Sequence, residues 1–128
     1  MTKELIPGIK GTLSETVVFD KTAASVGSGL IEVYATPAMI ALMENTANQL
    51  VQDYLGEGEN TVGSEVNIKH VKPTPIGMQV SCEATVVAVE GRKITFEVKA
   101  WDEQGDIGLG VHTRFIINTE KFMQKLVQ

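Results

Sequence analysis

The chain has a single cysteine, Cys82, among 128 residues. One cysteine excludes an internal disulfide, and no Cys/His cluster suggests structural zinc. No apolar run approaches the roughly 20 residues needed to span a bilayer, so no membrane segment is expected. The opening MTKELIPGIKG lacks the apolar stretch of an export signal. Together these absences lead us to expect a cytoplasmic protein. Positive charge is also short: Lys and Arg number 11 against 16 Asp and Glu, a net charge of −5. Nucleic-acid binders need clustered cations to displace counterions from phosphate, so that class is set aside. Two small basic spots, Lys69/Lys72 and Arg92/Lys93, suit at most one phosphorylated ligand. No P-loop, dinucleotide fingerprint, serine nucleophile elbow or metal-spaced histidine pair occurs. No metal or cofactor is therefore expected, and a cofactor-free hydrolase stays open.

What is present fits one domain over residues 1–128, with 43% hydrophobic and 21% charged residues. Leu13 to Phe19 reads as a strand. Lys21 to Gly29 is small and glycine-rich, and reads as a loop. Ile31 to Ala35 is a short extended piece. Thr36-Pro37 then announces a helix, with Thr36 as N-cap and Pro37 in the first turn. From there to Leu55, Met39, Ile40, Met43, Ala47, Leu50, Val51 and Tyr54 recur at a helical period, with Asn45, Asn48, Gln49 and Gln52 opposite. Gly56 and Gly58 end the helix.

The rest alternates with a period of two, as half-buried antiparallel strands do. In Thr61 to Val71 one face carries Val62, Ser64, Val66, Ile68 and His70. In Gln79 to Val89 it carries Val80, Cys82, Ala84, Val86 and Ala88, and in Lys93 to Trp101 it carries Ile94, Phe96, Val98 and Ala100. In Ile107 to Ile117 it carries Ile107, Leu109, Val111, Phe115 and Ile117. Turns rich in Gly and Pro separate these strands, which favours a meander of hairpins. Glu120 to Val127 forms a short closing helix. The expected class is α+β, a long helix on an antiparallel sheet. One helix covers one face of such a sheet, so Trp101, Ile116 and the strand edges point to a second copy of the chain.

Several residues carry potential chemistry. Glu44 borders the apolar stripe, where it is either a solvated carboxylate or a half-buried one suited to base chemistry. His70 is in phase with the apolar face at a strand end. It is either a satisfied core histidine or a group that orients substrate, supports an oxyanion or moves a proton. Thr36 has a complete account as an N-cap, and as a nucleophile it needs a base nearby. Gly63 sits inside a strand pattern, where a bulge would free its N–H as an oxyanion donor. His112 and Arg114 share a face with Gly108 and Gly110, opposite the apolar residues. That face is a bare surface, a ligand groove or a dimer contact.

The element order resembles the hot-dog fold. EVYATPAMIALMENTA (Glu32 to Ala47), TVGSEVNIKHVKPTPIGMQV (Thr61 to Val80) and VEGRKITFEVKAWDEQGDIGLGVHTRFII are similar to segments of the fluoroacetyl-coenzyme A thioesterase family. That resemblance implies hydrolysis of an acyl-coenzyme A thioester. It places the family's catalytic threonine, glutamate and histidine on Thr36, Glu44 and His70. It places the substrate-contacting glycine and arginine on Gly63 and Arg114. It also implies a homodimer with active sites at the subunit interface, each using both chains. Fluoroacetyl-specific members carry bulky aromatic lid residues before the catalytic threonine. The matching stretch here, AASVGSGLIEV, has none, which argues against selectivity for a fluorinated acyl group. Pro37 stands where a glycine can follow the threonine. Two other hot-dog activities are weighed beside hydrolysis: binding an acyl-coenzyme A without turnover, and reversible hydration of an enoyl thioester.

Overall fold

A computed structural model describes residues 3–127. Strands β1 to β5 are Lys10–Thr16, Glu59–His70, Gln79–Glu90, Lys93–Asp102 and Gly105–Asn118. Helices α1 to α3 are Ala23–Val26, Thr36–Val51 and Thr119–Leu126. The strands form one antiparallel sheet in the order β1-β3-β4-β5-β2, with α2 packed against it. The expected meander holds for β3, β4 and β5. It fails for β2, which pairs with β5 and not with β3. Residues 71–78 instead cross one end of the sheet. They are tied there by Val71 N–H to the Ile107 carbonyl (2.7 Å) and Tyr34 N–H to the Thr74 carbonyl (2.8 Å). β1 and β2 are left as the two sheet edges.

Helix α2 starts where Thr36-Pro37 announces it, but its cap is different. Ala35 is the N-cap residue and offers no side chain; Thr36 is the first helical residue. The Thr36 hydroxyl is therefore not consumed by the helix end. The buried face is Met39, Leu42, Met43, Thr46, Ala47 and Val51. Relative to the expected stripe it is rotated, taking in Leu42 and Thr46 and leaving Ile40 and Leu50 at the margin. Thr46 tolerates burial because its hydroxyl donates to the Leu42 carbonyl at 2.7 Å, one turn back. A 3-10 turn over Gln52–Tyr54 completes the helix, and the chain is extended again at Leu55.

Under the helix lie Val80, Cys82, Ala84 and Val86 of β3 and Ile94, Phe96, Val98 and Ala100 of β4, all buried as the alternation predicts. Ala88, expected on the same face, leaves it: the register shifts between Val86 and Ala88, pairing Ala88 with Thr95 and bringing Val89 inward beside Ile94. In β5, Ile107 is buried as expected, but from Leu109 onward the strand reverses its expectation. Leu109, Val111 and Phe115 face away from α2 and are 50%, 42% and 38% exposed. His112 and Arg114 lie on the inner face at 1% and 7%. Gly108 and Gly110 share that inner face. A Cβ on Gly108 would strike the Met39 side chain, and one on Gly110 the backbone of β2. Apolar alternation misassigns this strand because its inner polar groups satisfy one another.

β2 changes phase once, where its register with β5 shifts between Gly63 and Glu65. One extra residue turns every later side chain to the other face. Thr61 and Gly63 face inward before the shift, and Val66, Ile68 and His70 after it. Val62, paired with outward-facing Phe115, does not share their face as expected, and Ser64 is taken up in the bulge.

The N-terminal strand lies earlier than Leu13 to Phe19, because Val17 leaves the ladder. Its N–H donates to the Met78 carbonyl (2.9 Å) and its carbonyl accepts from Gly77 N–H (2.8 Å). The stretch expected as a loop holds α1, a single turn. Thr22 caps it by accepting from Ser25 N–H at 3.2 Å, and Gly27 ends it at φ +81°. Asn118 caps α3 by accepting from Lys121 N–H at 3.0 Å. Among the described residues no helix is long and apolar enough to cross a membrane.

Candidate active site

Two groups of polar side chains lie along α2. The first joins the start of the helix to the end of β2: Thr36 Oγ1 is 2.8 Å from His70 Nδ1. His70 Nε2 is buried and has no hydrogen-bond partner among the described residues. Burial pushes the His70 pKa below its ordinary value, with the Lys72 carbonyl acting in the opposite direction. The imidazole is accordingly neutral at neutral pH. The pair opens on a cleft of about 360 Å³ whose walls include Val33, Tyr34 and Lys72.

This end of the site has a rigid underside. Asp102, its side chain wholly buried, sits 2.9 Å from Lys72 Nζ. It also accepts from Thr74 Oγ1 (2.8 Å) and from the N–H groups of Gln104 (2.8 Å) and Gly105 (3.2 Å). Burial alone would raise the Asp102 pKa. The Gln104 N–H, Lys72 and Thr74 outweigh it and hold the carboxyl below its usual value. The crossover that follows His70 is thereby fastened to the β4–β5 turn. On the other wall, Tyr34 donates to Glu15 Oε2 at 2.6 Å.

The second group surrounds Glu44. Arg114 Nη1 lies 3.4 Å from Glu44 Oε2. Gly63 backs onto the same oxygen so closely that a Cβ there would come within 2.6 Å of it. Arg114 is itself held by Thr61 Oγ1 (2.8 Å), the Thr61 carbonyl (3.1 Å) and His112 Nε2 (3.1 Å). Its guanidinium is thus occupied inside the chain and not presented to solvent. Burial lowers the pKa of His112, as it does for His70.

The structure therefore brings Thr36 to His70, and Glu44 to Gly63 and Arg114. No hydrogen bond or ion pair joins the two groups among the described residues. Three contributors escape a reading of the sequence. Asn48, expected on the far side of α2, accepts from Thr61 Oγ1 at 2.6 Å. Thr61 links it to Arg114. Asp102 is not singled out by the sequence; the one local signal for it is Asp at the first position of a turn with Gly105 at the fourth.

The pH response of the histidines has a definite sign. Both have folded-state pKa values below the unfolded value, so the unfolded chain binds protons more readily. Stability is full above about pH 6.5, the ordinary histidine value, and falls as pH drops through the lowered values. Any activity that needs neutral His70 persists below that ordinary value before it is lost. Urea titrations and initial rates between pH 4.5 and 8 check both; stability unchanged from pH 7 to pH 5 would contradict the assignment.

The same architecture recurs in solved enzymes. The structure of the fluoroacetyl-coenzyme A thioesterase FlK matches with a TM-score of 0.94 at 32% identity, covering 98% of each chain. A Thermus thermophilus protein described as a thioesterase superfamily member matches with a TM-score of 0.89 at 27% identity, over 98% of this chain and 93% of that one. Fold and relatives together define a hot-dog thioesterase. More narrowly, the profile of the fluoroacetyl-CoA-specific thioesterase family matches residues 17–120. The fluoroacetyl-CoA thioesterase of Streptantibioticus cattleyicolor is 38% identical over 97 residues, 76% of this chain and 70% of that protein. The chain belongs to the fluoroacetyl-CoA-specific thioesterase family.

Proposed function

We propose that this thioesterase hydrolyses a small acyl-coenzyme A to free acid and coenzyme A, using Thr36, Glu44 and His70. The observation that carries the reading is the Thr36–His70 pair with Nε2 left unpartnered at the mouth of a cleft. A thioester suits so spare a site. The departing thiolate has a parent pKa of about 8.5 and needs little protonation. The remaining needs are an activated nucleophile and donors for the oxyanion. Glu44, aimed by Arg114, activates water or attacks the carbonyl itself. His70, held by Thr36, orients the carbonyl and stabilises the charge that develops on its oxygen. Gly63 N–H is the second donor, on an edge strand that has a neighbour on one side only.

Thr36 and Glu44 are about 12 Å apart along α2, two turns and a little more. A thioester carbonyl cannot touch both groups within one chain. We therefore place the working site in a homodimer joined along β2. There the Thr36–His70 group of one chain meets the Glu44–Gly63 group of its partner. Residues 23–33 carry no aromatic side chain, and Leu30 and Ile31 stand 96% and 68% exposed. Tyr34, the aromatic residue two places before Thr36, is buried in the cleft wall with its hydroxyl held by Glu15. With no aromatic side chain in that stretch to close over a fluorinated carbon, acetyl and fluoroacetyl thioesters are used with similar efficiency. The buried, free Cys82 suits a reducing cytoplasm.

Release of thiol from a series of acyl-coenzyme A chain lengths tests the reading. The expected result is turnover of short acyl groups and its loss in Glu44→Gln and His70→Ala. Tight binding without turnover, or water addition to an enoyl substrate with the thioester intact, would replace hydrolysis by another activity.

A further inference from the structure

His112 lies fully buried on β5, two residues before Arg114, and its two ring nitrogens meet partners of opposite kind. Nδ1 is 2.8 Å from the Glu65 carbonyl oxygen, which can only accept a hydrogen bond. Nε2 is 3.1 Å from Arg114 Nη1, which can only donate one. The hydrogen must therefore sit on Nδ1 and the lone pair on Nε2. The ring plane is fixed by Phe96, stacked at a centroid distance of 6.1 Å and an interplanar angle of 25°.

Arg114 is then gripped from several sides. Nε donates to Thr61 Oγ1, Nη2 to the Thr61 carbonyl and Nη1 to His112. Thr61 passes its own hydrogen to Asn48 Oδ1. Nη1 has two hydrogens, and the one that His112 does not take is aimed at Glu44 Oε2 at 3.4 Å.

We propose that His112 is a positioning residue for hydrolysis: by accepting from Arg114 Nη1 it holds the guanidinium in the orientation that aims Glu44. The inference rests on the reading of Glu44 as the reacting carboxylate. The plainer account, a satisfied core histidine that only fills space, makes a different prediction. An apolar ring against Phe96 would then leave kcat unchanged, whatever the two lost hydrogen bonds cost in stability. Four elements face His112: Arg114 on its own strand, Glu44 on α2, Phe96 on β4 and the Glu65 carbonyl on β2. Protonated, His112 would set an N–H against the Arg114 N–H and release it. Its lowered pKa keeps it neutral at neutral pH; burial is the main cause and Arg114 adds to it, against the Glu65 carbonyl and Glu44.

Two measurements on the full-length protein decide the matter. Long-range nitrogen–proton NMR of the imidazoles should show His112 as the Nδ1–H tautomer at pH 7. Steady-state kinetics should show kcat of His112→Phe reduced on the order of 10- to 100-fold, with KM nearly unchanged. The melting temperature of the Phe variant should fall, because the Glu65 carbonyl and the Arg114 N–H lose their partner, so the rates are compared well below it. His112→Gln, which restores an acceptor toward Arg114, should recover most of kcat. An Nε2–H tautomer overturns the proposal, as does a folded Phe variant with wild-type kcat, or a Gln variant as slow as the Phe one. Should the wild-type enzyme hydrolyse no acyl-coenzyme A, the functional reading fails separately. The NMR arm still judges the His112–Arg114 bond on its own.

Discussion

Mixing two inactive variants, His70→Ala and Glu44→Gln, restores hydrolysis to roughly a quarter of the wild-type rate once subunits exchange, if the site is shared across a two-fold dimer. Each variant alone should lose about 10²- to 10⁴-fold in kcat, the usual range for a group that moves a proton in the transition state. The recovery follows from where the two groups lie. β2 carries Gly63 near its middle and His70 at its end, and one side of this strand has no strand partner among the described residues. Two such edges paired antiparallel about a two-fold axis set the His70 end of one against the Gly63 region of the other. A mixed dimer then contains one doubly damaged site and one intact site. Were each site built within a single chain, both sites of the mixed dimer would carry one lesion and no activity would return. Rates measured against mixing ratio, with exchange verified by mass spectrometry, separate the two cases; a flat line at zero would sink the shared site.

Replacing Asp102 by alanine should cost about 3–5 kcal/mol, the range seen when one partner of a buried pair is removed. For a domain of this size that is a fall in Tm of roughly 10–20 °C. Four donors converge on the Asp102 carboxylate, and its removal leaves the N–H groups of Gln104 and Gly105 and the Thr74 hydroxyl without their acceptor. Lys72, about a third exposed, can turn to water and loses less. Lys72→Ala should accordingly be much the milder change. The acid dependence has the same origin. The folded carboxyl titrates below the unfolded one, so its contribution is complete above about pH 4 and is lost as pH falls through the folded value. In the alanine variant that part of the acid transition disappears. Because residues 71–78 follow His70 directly, activity should fall with stability. Calorimetry at pH 7 and pH 3 tests this; an Asp102→Ala protein melting within a few degrees of wild type would refute the anchoring role.

Much of the architecture was legible because periodicity is a local property. The run from Met39 to Val51 reads as a helix with one buried face, and the alternation named the inward residues of β4 and, up to Val86, of β3. The errors fall where a side chain's neighbour is distant in sequence. β5 was turned inside out because counting apolar residues cannot know that Arg114 and His112 are satisfied by Thr61, Glu44 and Glu65. β2 was misphased because the bulge at Gly63 to Glu65 leaves no mark beyond a glycine.

The same division runs through the site. From the sequence alone, Glu44 is a residue at the margin of a buried helix face, His70 a histidine in phase with an apolar strand, and Thr36 a helix start. Their types and spacing follow from the chain itself. Only the tertiary structure decided that Ala35 caps the helix and so releases the Thr36 hydroxyl for His70. Only it decided that Arg114 turns inward to Glu44. Helical and strand periods are set by local backbone geometry, within a few residues. The direction of a polar side chain is set by which donor or acceptor the fold brings into hydrogen-bonding range, and those partners lie 34 and 70 residues away along the chain, at 2.8 and 3.4 Å.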